Sequence, residues 1–196
     1  MTTETATIAP FSAFAGATLL ASGPLAEVAI AVKIAGGGMT DPIIIFDNTT
    51  GKPRDVDLRG SHREIVARLQ PPAAEQPDAP MEPRGRGRPK LGVVAREITL
   101  LPRHWDWLAT QPGGASVALR KLVEEARRTH GDRDRARAAR DAAYHFISTM
   151  AGDLPDFEEA SRALFSDDRR KCVELIAPWP IDIRNHFMAL AFGDHG

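Results

Sequence analysis

The chain is 196 residues long, 43% hydrophobic and 26% charged, with a formal net charge of −1 at pH 7. That length holds one domain or two small ones, and the apolar content suffices for an ordinary core. No run approaches the roughly 18 apolar residues of a membrane span, the N-terminus lacks the basic start of a signal peptide, and the lone Cys172 excludes an internal disulfide, so a cytoplasmic protein is expected.

In chain order, residues 11–15 and 18–21 predict a hairpin closed by Gly16. A helix follows over residues 24–35, with Leu25, Val28, Ala29 and Val32 on one side, broken by Gly36, Gly37 and Gly38. Ile43, Ile44, Ile45 and Phe46 predict a short buried strand, residues 48–51 a turn, and residues 55–58 a return strand. Ser61 and Glu64 have capping-box spacing before a helix over residues 65–69. The order β-β-α-β-β-α predicts a small α+β domain with an antiparallel sheet over residues 1–70.

Residues 70–83 contain five prolines, which forbid helix and disfavour sheet. They predict a semi-extended spacer, and the linker region is taken as residues 71–92. It leads into Arg84, Gly85, Arg86, Gly87, Arg88, Pro89 and Lys90, four cations with no acidic residue among them. Such a segment has nothing to bury. The glycines permit close backbone approach, Pro89 favours an extended exit, and the arginines suit a narrow anionic groove such as the minor groove of A·T-rich DNA. The segment resembles the AT-hook, whose Arg-Gly-Arg-Pro core is matched by Arg86, Gly87, Arg88 and Pro89. The resemblance implies that Arg86 and Arg88 enter the minor groove while Arg84 and Lys90 meet phosphates.

Residues 93–101 are rich in β-branched side chains and bounded by Gly92 and Pro102, which predicts a strand. Pro102 opens a helix over residues 103–111, Pro112, Gly113 and Gly114 stop it, and a second helix starts near Ser116 with Val117, Leu119, Leu122, Val123 and Ala126 as its apolar face. This strand-helix-helix order, over residues 93–130, resembles the ribbon-helix-helix module, in which strands of two chains pair and enter the DNA major groove. The resemblance implies a homodimer, with Arg96 and Thr99 as the strand's DNA contacts. Strict alternation places those two on opposite faces, and neither face is cleanly polar. The alternative is a strand and helices packed within one chain.

Residues 131–196 predict helices only. One covers 132–150, the next starts at Pro155, a third over 167–177 is capped by Ser166, and a fourth runs from Pro180 to Gly193. They predict a small bundle packed on itself or on a partner. Arg127, Arg128, Arg133, Arg135, Arg137 and Arg140 are interspersed with Asp132, Asp134 and Asp141 at spacings that allow helical ion pairs.

The chain has no phosphate-binding loop, dinucleotide turn or nucleophile elbow, and its histidines lack metal-site spacing. Asp47, Asp55 and Asp57 are the one candidate carboxylate group, and turn-favouring acids at strand ends account for them. Cys172 is read as a small buried residue. No catalytic residue, metal or cofactor is assigned. Along nearly its whole length the chain is similar to a bacterial family of unknown function, through Gly23, Pro24 and Leu25, through Asp57, Leu58, Arg59 and Gly60, and through the run from Arg86 to Glu97. The expected function is a non-enzymatic DNA-binding protein, a transcriptional regulator or nucleoid-associated factor acting on A·T-rich double-stranded DNA. The competing expectation is a protein-interaction module such as an antitoxin or adaptor.

Overall fold

The computed structural model describes residues 8–38, 40–69, 94 and 96–193. The protein is α+β, with an antiparallel sheet near its N-terminus followed by helices. The strands are β1 (Phe11–Ala15), β2 (Thr18–Gly23), β3 (Ile43–Asp47) and β4 (Lys52–Pro53). The helices are α1 (Leu25–Ala35), α2 (His62–Leu69), α3 (Pro102–Ala109), α4 (Gly114–Met150), α5 (Phe157–Phe165), α6 (Arg169–Leu175) and α7 (Ile181–Phe192). They fall into two compact units, one drawn from Met1–Pro71 and Asp132–Gly196, the other from Pro72–Gly131.

The sheet of the larger unit has the order β2-β1-β3-β4. Ser12 pairs with Phe46 and Phe14 with Ile44, so these four side chains share one face, while Ala13 and Ile45 share the other. The second face is covered by α1, through Val28 and Val32. On the first face, Phe14 and Phe46 enter a core with Ala143, Phe146 and Ile147 of α4 and with Leu164, Ile176, Ile183 and Phe187 from the last helices. Rings of Phe14, Phe46 and Phe146 lie 5.1–6.1 Å apart in tilted and edge-on contacts, the favoured aromatic geometry.

Four local expectations change. The return strand over residues 55–58 does not form. The pairing with β3 covers Lys52 and Pro53 and ends with the bond from Arg54 N to Ile45 O at 2.7 Å. Asp57 instead receives the Arg59 N–H, while Val56 and Leu58 still pack on the core beneath α1. Ser166 illustrates how a local signal misleads at a helix end. Ser166 does not cap α6; its hydroxyl donates to Arg162 O, and Asp168 caps instead by accepting from Lys171 N at 2.9 Å. The two helices expected on either side of Gly131 are one 37-residue helix, α4. A glycine within a helix costs only about 1 kcal/mol relative to alanine, and the i,i+3 pairs Glu124–Arg127, Asp132–Arg135 and Asp134–Arg137 flank it. The fourth change, at residues 93–101, bears on the candidate site.

The capping box does form, with Ser61 N donating to Glu64 Oε2 and Glu64 N to Ser61 Oγ. Beside it, Lys33 Nζ donates to Leu58 O at 2.8 Å and Gly60 O at 2.6 Å, tying α1 to the loop ahead of α2.

The β3–β4 turn and α4 approach closely at Gly51. Gly51 has φ +66°, and a Cβ on it would lie 1.8 Å from Ala142 O. Gly51→Ala is expected to destabilise the protein by at least the about 1–3 kcal/mol of a strained backbone position, because relief of the clash must separate sheet from helix. The denaturant midpoint checks this; an unchanged midpoint refutes the contact.

Candidate nucleic-acid interface

The smaller unit's secondary structure follows from a few residues. Pro102 occupies the first turn of α3, where its missing N–H costs nothing, and His104 N and Trp105 N both donate to Leu101 O. Thr110 Oγ1 and Gln111 Nε2 donate to Trp107 O at the helix end. The turn is completed by Gly113 and Gly114, with φ of +86° and +75°, conformations that strain any residue with a Cβ. α4 then begins at Gly114.

The AT-hook-like residues Arg84, Gly85, Arg86, Gly87, Arg88, Pro89 and Lys90, and the proline-rich stretch before them, lie outside the described residues. Arg96 and Thr99 are described and exposed. The strand expected over residues 93–101 is not formed where it is described: residues 96–101 have no regular secondary structure. A ribbon of this type is made by two chains, so a single chain supplies no partner for its ladder.

Along α4 the arginines separate into two groups. Arg127 lies 3.5 Å from Glu124, Arg137 2.9 Å from Asp134 and Arg140 3.7 Å from Asp167, and Arg135 pairs with Asp132. Asp141, expected in the same ladder, has no such pair among the described residues. Lys121, Arg128 and Arg133, like Arg96 and Arg103, have no carboxylate within 4.0 Å among the described residues. From residue 120 to 138 every position but Gly131 is exposed. Exposed ion pairs are worth only about 0.2–1 kcal/mol, so a polyanion competes readily even for the paired arginines.

The carboxylate candidates do not converge on a site. Asp47 organises its own turn, accepting from Thr49 N through its carboxylate and from Gly51 N through its carbonyl. Asp57 is held by hydrogen bonds from the Arg59 side chain and backbone, which keep its carboxyl well below the usual carboxylate range. No group of three His, Cys, Asp or Glu side chains that would hold a metal ion occurs among the described residues. Cys172 is fully buried, and burial, reinforced by Asp168 and Asp167, pushes its thiol up to about 11. The thiolate is therefore scarce at neutral pH.

One polar cluster escaped the sequence reading. Asn48 Nδ2 donates to Ala9 O at 2.7 Å and to Ser12 Oγ at 2.8 Å, leaving Oδ1 to accept from His186 Nε2 at 3.1 Å. Ser12 Oγ then lies 3.1 Å from Ser22 Oγ. The ring of His186 stands between Phe14 and Phe146, 5.2 and 4.6 Å from their centroids. The chain therefore runs one way, from imidazole N–H to amide to hydroxyl, and it requires a proton on Nε2 of His186. Ser12 receives its hydrogen bond from Asn48 and not from the imidazole, so the cluster satisfies buried polar groups and does not activate a nucleophile. The one local hint, a serine between Phe11 and Phe14, names no partner 138 or 174 residues away in a later helix.

Burial pushes the His186 pKa from 6.5 down to about 4. The unfolded state therefore binds a proton in that window that the folded state does not, and stability falls as pH drops from 6.5 to 4 and levels off below. The loss is about 3 kcal/mol at the usual 1.36 kcal/mol per pH unit. His186→Gln keeps a donor for Asn48, and its unfolding free energy is expected to fall less over that window in acid titrations. Parallel curves for the two proteins refute the assignment.

No curated protein and no solved structure matches the chain. A family model does match, over residues 10–191, and the chain belongs to that family, DUF2239, described as an uncharacterized protein conserved in bacteria.

Proposed function

We propose that the protein is a non-enzymatic DNA-binding factor that recognises A·T-rich duplex through Arg84–Gly85–Arg86–Gly87–Arg88–Pro89–Lys90, acting as a regulator or nucleoid-associated protein. The observation that carries this reading is the density of cations without acids in that segment. The exposed, unpaired cations that follow it, Arg96, Arg103, Lys121, Arg128 and Arg133, support it. The net charge of −1 does not oppose it, because docking on a polyanion follows local fields.

Arg86 and Arg88 take the minor groove, where narrowness deepens the negative potential, and Arg84 and Lys90 take phosphates. Thr99 or Arg96 adds a contact in the neighbouring major groove. Catalysis has no part in this reading: its interface residues have no activated nucleophile or general base among them.

Fluorescence anisotropy on A·T-rich and G·C-rich duplexes of equal length, across a salt series, tests the proposal. Nonspecific contacts weaken with a log-log slope near −0.9 per phosphate neutralised. The A·T preference is expected to persist as salt rises, and Arg86→Ala with Arg88→Ala is expected to abolish it. Equal binding of both duplexes by the unaltered protein, or an unchanged preference in the double variant, overturns the minor-groove role.

A further inference from the structure

Two of the protein's three tryptophans, Trp105 and Trp107, stand exposed on α3, whereas Trp179 is buried with its Nε1 donating to Pro155 O at 2.8 Å. Neither exposed indole N–H has a partner among the described residues. Two positions apart on a helix, the indoles leave the axis about 200° from each other and so have different surroundings. The residues three and four positions from Trp105 are Leu101, Pro102, Leu108 and Ala109, all apolar, and Leu108 is buried. Those three and four positions from Trp107 are Arg103, His104, Thr110 and Gln111, all polar and none acidic. Thr110 Oγ1 at 2.8 Å and Gln111 Nε2 at 3.3 Å both donate to Trp107 O, which fixes the last two beside it. Arg103 pairs with no carboxylate among the described residues. Asp106, the one acid of α3, stands about 100° round the helix from Trp107.

We propose that Trp107 is a stacking platform for an unpaired base of single-stranded DNA, with Arg103 taking an adjoining phosphate. The surroundings of Trp107 select this occupant. An apolar protein face laid over this indole would strip water from a guanidinium, an imidazole, a hydroxyl and an amide at the same time, at a cost that one indole does not offset. A nucleobase differs, because its flat face covers the indole while its polar rim and its phosphate meet those same groups. A free nucleotide is not held here: small ligands need a concave site, and a helix flank half exposed at Trp107 encloses nothing. The base must therefore arrive on a strand, drawn by the field of the unpaired Arg96, Lys121 and Arg128. Charge agrees with this, since from Leu91 to Gly131 six Lys and Arg outnumber four Asp and Glu, and Glu124 is already engaged by Arg127.

The choice of DNA over RNA rests on the minor-groove reading. A·T-rich duplex contains TA steps that unstack readily, so a protein anchored on such a tract meets DNA that opens at low cost. Trp107 then holds a base that has left the stack.

Anisotropy of a labelled oligothymidylate of about 20 nucleotides, longer than the site of a single binding module, tests the site on the full-length protein, and quenching of tryptophan emission reports the stacking. Trp107→Leu keeps apolar bulk without a π-face, at a position 51% exposed and so tolerated by the fold. It is expected to weaken binding about 10-fold to 100-fold. Trp107→Phe is expected to recover most of that loss, and Trp105→Leu to leave the affinity as it was. Arg103→Gln is expected to lower the log-log salt slope by about 0.7, one phosphate's share on a single strand. No binding of the oligothymidylate, equal affinity of Trp107→Leu and the unaltered protein, an equal loss from Trp105→Leu, or tighter binding of an oligouridylate of the same length overturns the inference. Quenching produced by a protein partner and not by the oligonucleotide does so as well. Single-strand binding that depends on Trp107, in a protein with no A·T preference on duplexes, refutes the minor-groove reading and leaves the stacking site intact; A·T preference with single-strand binding indifferent to Trp107 does the reverse.

Discussion

The larger unit depends on the contact between one face of a small sheet and the last third of α4. Phe14, Phe46 and Phe146 come from three elements separated by up to 132 residues of sequence, and each is fully buried. Neither side closes alone: four short strands expose a phenylalanine face, and the helices after α4 are seven to twelve residues long, too short to be stable in isolation. Joining them buries both. The close approach of Gly51 to Ala142 follows from that need, because a side chain at the turn would hold the helix away from the phenylalanines. His186 fills the remaining space between two of those rings. Its polar edge has to be satisfied there, and Asn48, in the turn after β3, accepts from Nε2 while donating to Ser12 of the sheet. The polar chain is thus a consequence of the aromatic contact, and its acid sensitivity follows from the same burial.

Most of the elements are legible in the sequence because their signals are local. Gly16, Gly36 and the Pro112 to Gly114 run break the chain where the structure breaks it. Ser61 and Glu64 form the reciprocal bonds that their spacing implies. Alternation places Phe14 and Phe46 opposite Ala13 and Ile45. The misreadings are equally instructive. Residues 55–58 have the composition expected of a return strand, and Val56 and Leu58 do turn inward, but burial without a ladder produces the same pattern. The helix starting near Ser116 and the one expected over residues 132–150 are one, because with no proline nearby and ion pairs on both sides the cost of Gly131 is outweighed. At α6, Ser166 and Asp168 are both capping residue types within two positions of each other, and composition does not rank them.

What the sequence does not reveal is long-range. Nothing local in Ser12 or His186 indicates that Asn48 will bridge them, and nothing in the last helices indicates that they share a core with the first hairpin. For the candidate interface the position is reversed. Its strongest signal, the run from Arg84 to Lys90, is wholly local, since a segment with no side chains to bury is defined by its charge. The described structure contributes what composition hides: which of the later cations lack acidic neighbours, and how much apolar surface lies between them.

The two units also differ in what they need from outside. The larger one satisfies its buried polar groups with few exceptions, Ser161 Oγ being the unpartnered atom among its described side chains, and its buried apolar residues gather in clusters within the chain. The smaller one has exposed tryptophans, unpaired backbone and unpaired cations in close succession. Each demand alone has a simple answer in water. Together they do not, because indole and aliphatic surface gains from leaving water while guanidinium groups lose by it. Under the proposed function duplex DNA answers the electrostatic demand, and it does so without burying the indoles.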